Sequence, residues 1–231
     1  MFDDDAHGLD RFGVLLMLTI GSVVGLSLLD LETIDSDVVR GVTTLVLSLM
    51  TGATFVLALT ASGVVRRWRR FAVMLVVLAV SISLIQLIRD LTADPDLTTF
   101  VRHQPGVLWV AIALLTPIAI IRRLLRHRRV TGQTLAGAVA AYLLIALAGC
   151  YVFLTLDSAL ADGFFGGGES SSTDFMYFSL VTVTTLGYGD LSPTESVGRL
   201  SATTLAVVGQ VYLVTFVAMV VGLLIQQRET S

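Results

Sequence analysis

Six apolar runs alternate with short polar connections along the 231 residues, and this alternation predicts the architecture before any motif is read. The runs cover roughly residues 12–31, 41–65, 71–88, 107–121, 135–156 and 199–225. Each approaches the length at which a helix crosses about 30 Å of hydrocarbon. The fourth is the shortest and contains Pro117. The first run follows Asp3-Asp4-Asp5, which is acidic where a secretory leader is basic, and no small-residue cleavage site comes after it. The pattern predicts an all-α membrane protein with six transmembrane helices.

Composition agrees. Hydrophobic residues make up 55% of the chain and charged residues 14%, and the mean hydropathy is +0.84, outside the range of soluble domains. A net charge of −3 without a basic tail predicts no nucleic-acid partner. Cys150 is the single cysteine, so the chain forms no internal disulfide and no cysteine metal site. Charge placement predicts the orientation. Arg66, Arg67, Arg69 and Arg70 crowd the second connection, and Arg122, Arg123, Arg126, Arg128 and Arg129 the fourth. The first carries Asp30, Glu32, Asp35 and Asp37, and the third Asp90, Asp94 and Asp96. Arginine-rich connections stay in the cytoplasm, so both termini are expected there, in a multi-pass protein of the plasma membrane.

The fifth and sixth runs are separated by residues 157–198, which this orientation makes extracytoplasmic. A glycine-rich turret, 163–168, precedes Ser170-Ser171-Ser172-Thr173-Asp174, a set of N-cap residues for a short helix over 175–184. Such a half-helix, entering from outside, aims the negative end of its dipole at the bilayer centre, where a cation needs stabilising. It delivers the chain into Thr184-Thr185-Leu186-Gly187-Tyr188-Gly189-Asp190. A ring of backbone carbonyls can replace the water shell of a dehydrated K⁺ ion. Aiming successive carbonyls at one axis needs backbone angles that residues with a Cβ resist, so glycine must alternate. Gly187 and Gly189 alternate in this way, Tyr188 is free to point outward and brace the strand, and Thr185 adds a hydroxyl at the inner mouth. The alternative is a glycine-rich turn. A Thr-x-Gly-Tyr-Gly match arises by chance on the order of once in a hundred thousand positions at average composition.

Span, turret, short helix, Thr-x-Gly-Tyr-Gly-Asp and span together resemble the pore module of tetrameric potassium channels. The resemblance covers about residues 135–225 and implies a re-entrant pore helix and a selectivity-filter loop between helices five and six. It implies K⁺ coordination by the carbonyls of Thr185, Leu186, Gly187 and Tyr188, with Gly189 completing the filter and the Thr185 hydroxyl closing the innermost site. Thr184, Asp190, Tyr177 and Phe178 are implied as filter support. Asp190 matches the acidic residue outside the family filter, and Tyr177-Phe178 stands where relatives often carry a Trp pair. Leu186 replaces the usual valine, and Val181 stands where some bacterial members have a glutamate facing the Asp190 position. Gly198-Arg199-Leu200 matches the start of the inner helix. Gly209 matches a gating-hinge glycine, with close helix packing as the alternative role.

The first four spans resemble the sensor domain of six-span channels in number and order only. Their apolar runs lack the arginine ladder and acidic partners of a voltage sensor. Arg123, Arg126 and Arg129 keep a spacing of three but lie at the cytoplasmic end, as an anchor and linker. The expected division is a four-span, sensor-like domain with basic linker over 1–130 and a pore domain over 131–231. One filter strand per chain predicts a homotetramer, closed by small residues such as Ala136, Gly137, Ala138 and Gly209. The expected partners are K⁺, lipid and further copies of the chain. No cofactor and no enzymatic motif is expected, since neither His-Glu-x-x-His nor Gly-x-Ser-x-Gly occurs. A less selective cation channel and a non-conducting accessory subunit are the alternatives. His7, His103 and His127 form no metal spacing. Gln210 and Thr215 either line the cavity or bond between helices. Asp157, Asp162, Glu169 and Glu195 are expected to ring an outer vestibule.

Overall fold

The computed structural model describes residues 11–28, 37–61, 66–92, 107–124, 132–167 and 170–229. Among these the regular structure is helical throughout: α1 (Arg11–Leu28), α2 (Asp37–Ala61), α3 (Arg66–Thr92), α4 (Val107–Leu124), α5 (Gly132–Ala159), α6 (Ser172–Val183), α7 (Ser196–Val211), a π-helical stretch (Tyr212–Val217) and α8 (Ala218–Glu229). Four of the apolar runs thus correspond to α1–α4, the fifth to α5, and the sixth to the α7–π–α8 rod. Among the described residues, two helices are long and apolar enough to cross a membrane by length and composition, Gly132–Ala159 and Ser196–Gln226. The apolar stretches of α1 to α4 are shorter: Phe12–Ser27, Ser48–Ala58, Val73–Ile85 and Trp109–Arg122.

Helix α5 is the hub. It packs against α1, α4, α6 and α7, and 67% of its apolar window is buried, against 22% for the Ser196–Gln226 rod. The reason is in its sequence. Alanines and glycines at 136–141 and 146–149 let neighbouring helices approach closely. Gly149 lies where a Cβ would stand 2.8 Å from Ser179 Oγ and would overlap Leu205. Ser179 in turn donates to the Ala146 carbonyl at 2.5 Å, joining α6 to α5. The free thiol of Cys150 is fully buried in this core.

Two expectations change. Gly137 and Ala138 were expected at contacts between subunits, but both are consumed within the chain. Gly137 lies under the Phe12 ring, whose Cδ1 would be 2.9 Å from an added Cβ, and Ala138 is fully buried with its carbonyl accepting from Tyr212. Helix α1 also joins the C-terminal half. Phe12 and Leu15 are in the same hydrophobic core as Phe153, Phe175 and Leu205, whereas Phe55, Val76, Ala79, Trp109 and Ile112 of α2–α4 form a second cluster. Gly13 N–H donates to Gln133 Oε1 at 3.0 Å at one end of α1, and the Thr173 hydroxyl reaches the Leu26 and Ser27 carbonyls at 3.3 and 3.4 Å at the other. Of the residues that set the expected orientation, Asp30, Glu32, Asp35, Asp94, Asp96, Arg126, Arg128 and Arg129 lie outside the described residues, as do His7, His103, His127 and Glu169.

Candidate functional site

Helix α6 begins at a capping box. The Ser171 side chain accepts from Asp174 N–H at 3.1 Å, and the Asp174 carboxylate accepts from Ser171 N–H at 2.9 Å. Two of the donors that a helix start strands are thereby satisfied. The helix starts at Ser172, three residues before the expected position, because Ser171 is the residue that caps.

Its other end builds the loop. Leu186 N–H donates to the Val181 carbonyl at 3.0 Å and Thr185 N–H to the Thr182 carbonyl at 3.1 Å, with Thr185 at φ +60°. These two bonds and one left-handed residue form a Schellman cap, in which the left-handed position usually belongs to glycine. Here threonine holds it, a conformation uncommon for a residue with a Cβ. Thr184 N–H and its hydroxyl both donate to the Leu180 carbonyl, at 3.0 and 2.6 Å. Gly187 and Gly189 then repeat the positive φ at +56° and +81°, while Leu186 and Tyr188 do not. The backbone therefore alternates in handedness at every second residue from 185 to 189. Residues 184–190 are exposed in the single chain, Leu186 at 60% and Tyr188 at 67%.

Support for this strand comes from one face of α6. The Tyr177 hydroxyl donates to Asp190 Oδ2 at 2.6 Å, and the Tyr177 and Tyr188 rings stack with planes 3° apart and centroids 6.3 Å apart. Tyr177, Tyr188 and Asp190 are thus brought together. The hydrogen bond holds the Asp190 carboxyl below the usual carboxylate range and raises the Tyr177 phenol to about 12. Phe178 lies elsewhere. It is buried among Phe153, Phe164 and Phe165, with centroid distances of 5.2, 5.9 and 5.2 Å, and bears on the loop only through α6 and the turret. Val181 contributes its carbonyl to the cap and its side chain to the interior.

Gly209 is buried and packs closely on the end of α6, where an added Cβ would overlap the Val183 side chain. The exposed Thr215 hydroxyl donates to the Val211 carbonyl of its own helix. That bond falls at the π stretch, where side-chain back-bonding disturbs the regular helical pattern. Gln210 is exposed. Asp157 departs from the expected vestibule: it is 3% exposed and its Oδ1 accepts from Phe164 N–H at 2.8 Å, pinning the turret. Asp162 and Glu195 are exposed. Sequence reasoning missed Tyr142 and Tyr212, whose hydroxyls bond the Val183 and Ala138 carbonyls at 2.9 and 2.8 Å; an aromatic with a polar tip inside an apolar run was the available signal.

Residues 140–226 match the ion-channel family model. The match takes in most of α5, all of the capped helix and loop, and most of the rod beyond. The protein named two pore potassium channel a, from Oryza sativa subsp. japonica, is 34% identical over 71 residues, a segment that covers 31% of this chain and 20% of that protein. This chain therefore matches about a fifth of that relative's length. The similarity to ion channels lies in the part of the chain that holds the alternating backbone.

Proposed function

We propose that this chain is the pore-forming subunit of a K⁺-selective channel, with Thr185, Leu186, Gly187, Tyr188 and Gly189 as its filter. The observation that carries this reading is the alternation of left-handed backbone at Thr185, Gly187 and Gly189. Alternating handedness turns successive carbonyls to the same side, which a strand of uniform handedness does not do, and a file of carbonyls on one side is what dehydrated K⁺ requires. The similarity of residues 140–226 to ion channels and the printed name of the rice relative support it.

In this reading the carbonyls of Thr185, Leu186, Gly187 and Tyr188 coordinate K⁺, and the Thr185 hydroxyl closes the innermost site. That chemistry explains a threonine in a position where glycine is easier: the hydroxyl is needed there, and left-handed strain of about 1–2 kcal/mol is the cost. Irregular backbone at membrane depth is tolerated where protein buries it or water lines it. Helix α6 is the re-entrant support, its C-terminal end facing the ion path. Four strands are needed to close a ring, so four copies assemble about one axis. Asp190, the outermost member, is held by Tyr177 and leaves the strand braced on α6.

Concentrative rubidium uptake tests this function. Liposomes loaded with K⁺ and containing the purified chain should take up external rubidium. Excess external K⁺ should suppress that uptake and equimolar Na⁺ should not. Equal suppression by both ions would reject K⁺ selectivity.

A further inference from the structure

Three helices of the C-terminal half meet at Val183. It is the last residue of α6, it is fully buried, and its carbonyl is one of the four that a helix end leaves without an internal partner. The Leu180, Val181 and Thr182 carbonyls are taken by the backbone of residues 184–187. The Val183 carbonyl accepts instead from the Tyr142 hydroxyl of α5, at 2.9 Å. Gly209 of α7 closes over the same group, since a Cβ there would stand 3.1 Å from the Val183 oxygen. The Tyr142 ring in turn stacks on Tyr212, with centroids 6.2 Å apart and planes at 16°. Tyr212 opens the π stretch of the rod, and its hydroxyl donates to the Ala138 carbonyl of α5 at 2.8 Å.

Building on the pore reading above, we propose that Tyr142 is a positioning residue for the inner end of the filter, and that its stack on Tyr212 ties that position to the π stretch of the inner helix. Thr184 and Thr185 follow Val183 directly, so the position of the Val183 carbonyl sets the backbone from which the innermost ion site is built. Neither tyrosine touches the ion path; both act through Val183. Tyr212 stands where the hydrogen-bonding pattern of the rod changes, as Ala138 on α5 and Tyr142 hold it from one side and Phe216 stacks on it from the other. A change in the π stretch therefore reaches the filter through one aromatic contact and one hydroxyl. The arrangement is separate from the outer brace at Tyr177 and Asp190, and it acts on the opposite end of the strand.

The full chain in liposomes tests this, with reversal potentials under opposed K⁺ and Na⁺ gradients and thermal melting measured side by side. Tyr142→Phe keeps the ring and strands the Val183 carbonyl. Tyr212→Leu removes the stack and keeps the Tyr142 hydroxyl. Tyr151→Phe is the control, because it deletes a buried hydroxyl from the same helix, one whose hydrogen-bond partner, 3.1 Å away, is Thr51 Oγ1 of α2. Tyr142→Phe should lower the K⁺:Na⁺ permeability ratio about tenfold, in line with one stranded buried acceptor. Tyr212→Leu should lower it about threefold, in line with one lost aromatic pair. The double variant should fall short of the product of the two factors, because both changes cut one link. Tyr151→Phe should lose stability and keep the wild-type ratio. Wild-type ratios in both Tyr142→Phe and Tyr212→Leu, or an equal fall in Tyr151→Phe, would overturn the proposal and leave the pore reading intact. A wild-type chain that conducts without K⁺ preference would overturn the pore reading itself.

Discussion

The ionised Asp190 carboxylate and the protonated Tyr177 hydroxyl each need the other's charge state, and this fixes the pH range of the outer brace. The depressed Asp190 pKa means that the contact is complete above the ordinary carboxylate value of about 3.9 and is lost as pH falls through the depressed value. The raised phenol means that it is complete below the ordinary tyrosine value of about 10 and is lost as pH rises through about 12. External titration from pH 5 to pH 8, test conditions inside that window, should leave conduction unchanged through this site. Tyr177→Phe should shift the onset of external proton inhibition upward, toward the ordinary carboxylate value; an onset unmoved by this substitution would separate Asp190 from Tyr177. At Gly187 the constraint is conformational. Nothing lies within 4 Å of a Cβ built there, but its φ is +56°. Gly187→Ala should therefore insert and assemble normally, yet lose K⁺ selectivity, because the methyl group penalises the left-handed angle by about 1–2 kcal/mol. Unchanged selectivity in this variant would show that the strand geometry does not select the ion.

Among the elements, α7 carries the clearest choice between roles. Gly209→Ala gains about 1 kcal/mol of helix propensity but forces a Cβ into stiff, fully buried Val183, and overpacking costs about 1–3 kcal/mol. The clash should win and lower the melting temperature. A variant with altered opening and wild-type melting would favour a hinge instead. Helix α4 supports a second expectation. Its apolar stretch up to Ile121 carries no charge, and each charge crossing the field contributes about 2.3 kcal/mol per 100 mV. Open probability in symmetric K⁺ should therefore vary only shallowly with voltage, and a steep intrinsic slope would place a sensor in this region. The elements that were legible in the sequence were those specified locally: a short helix preceded by the N-cap residues 170–174, the glycine alternation at 187 and 189, and the uncharged fourth run. Thr185 was legible as a hydroxyl but not as a left-handed residue, because that angle follows from the Schellman cap on α6 and not from residue type. The docking of α1 onto α5, the burial of Gly137 under Phe12 and the meeting of Tyr142 with Val183 join residues far apart in the chain. Hydrophobic periodicity marks such faces as buried and does not name what buries them.

For the whole molecule, exposure is the informative quantity. The rod from Ser196 to Gln226 is apolar yet only 22% buried in its window, and residues 184–190 are exposed. In the proposed assembly, four copies about an axis would cover part of that surface and close the carbonyl ring together. Native mass spectrometry in detergent should accordingly give four chains, with a monomer as the sole conducting species contradicting the assembly. Selectivity is the property on which strand geometry, assembly and ion chemistry converge. The most direct test of the account is the reversal potential of the purified full chain in a planar bilayer, with K⁺ and Na⁺ gradients opposed. The account predicts a zero-current voltage that follows the K⁺ equilibrium potential; a reversal near zero in a bilayer with clear channel activity would contradict it.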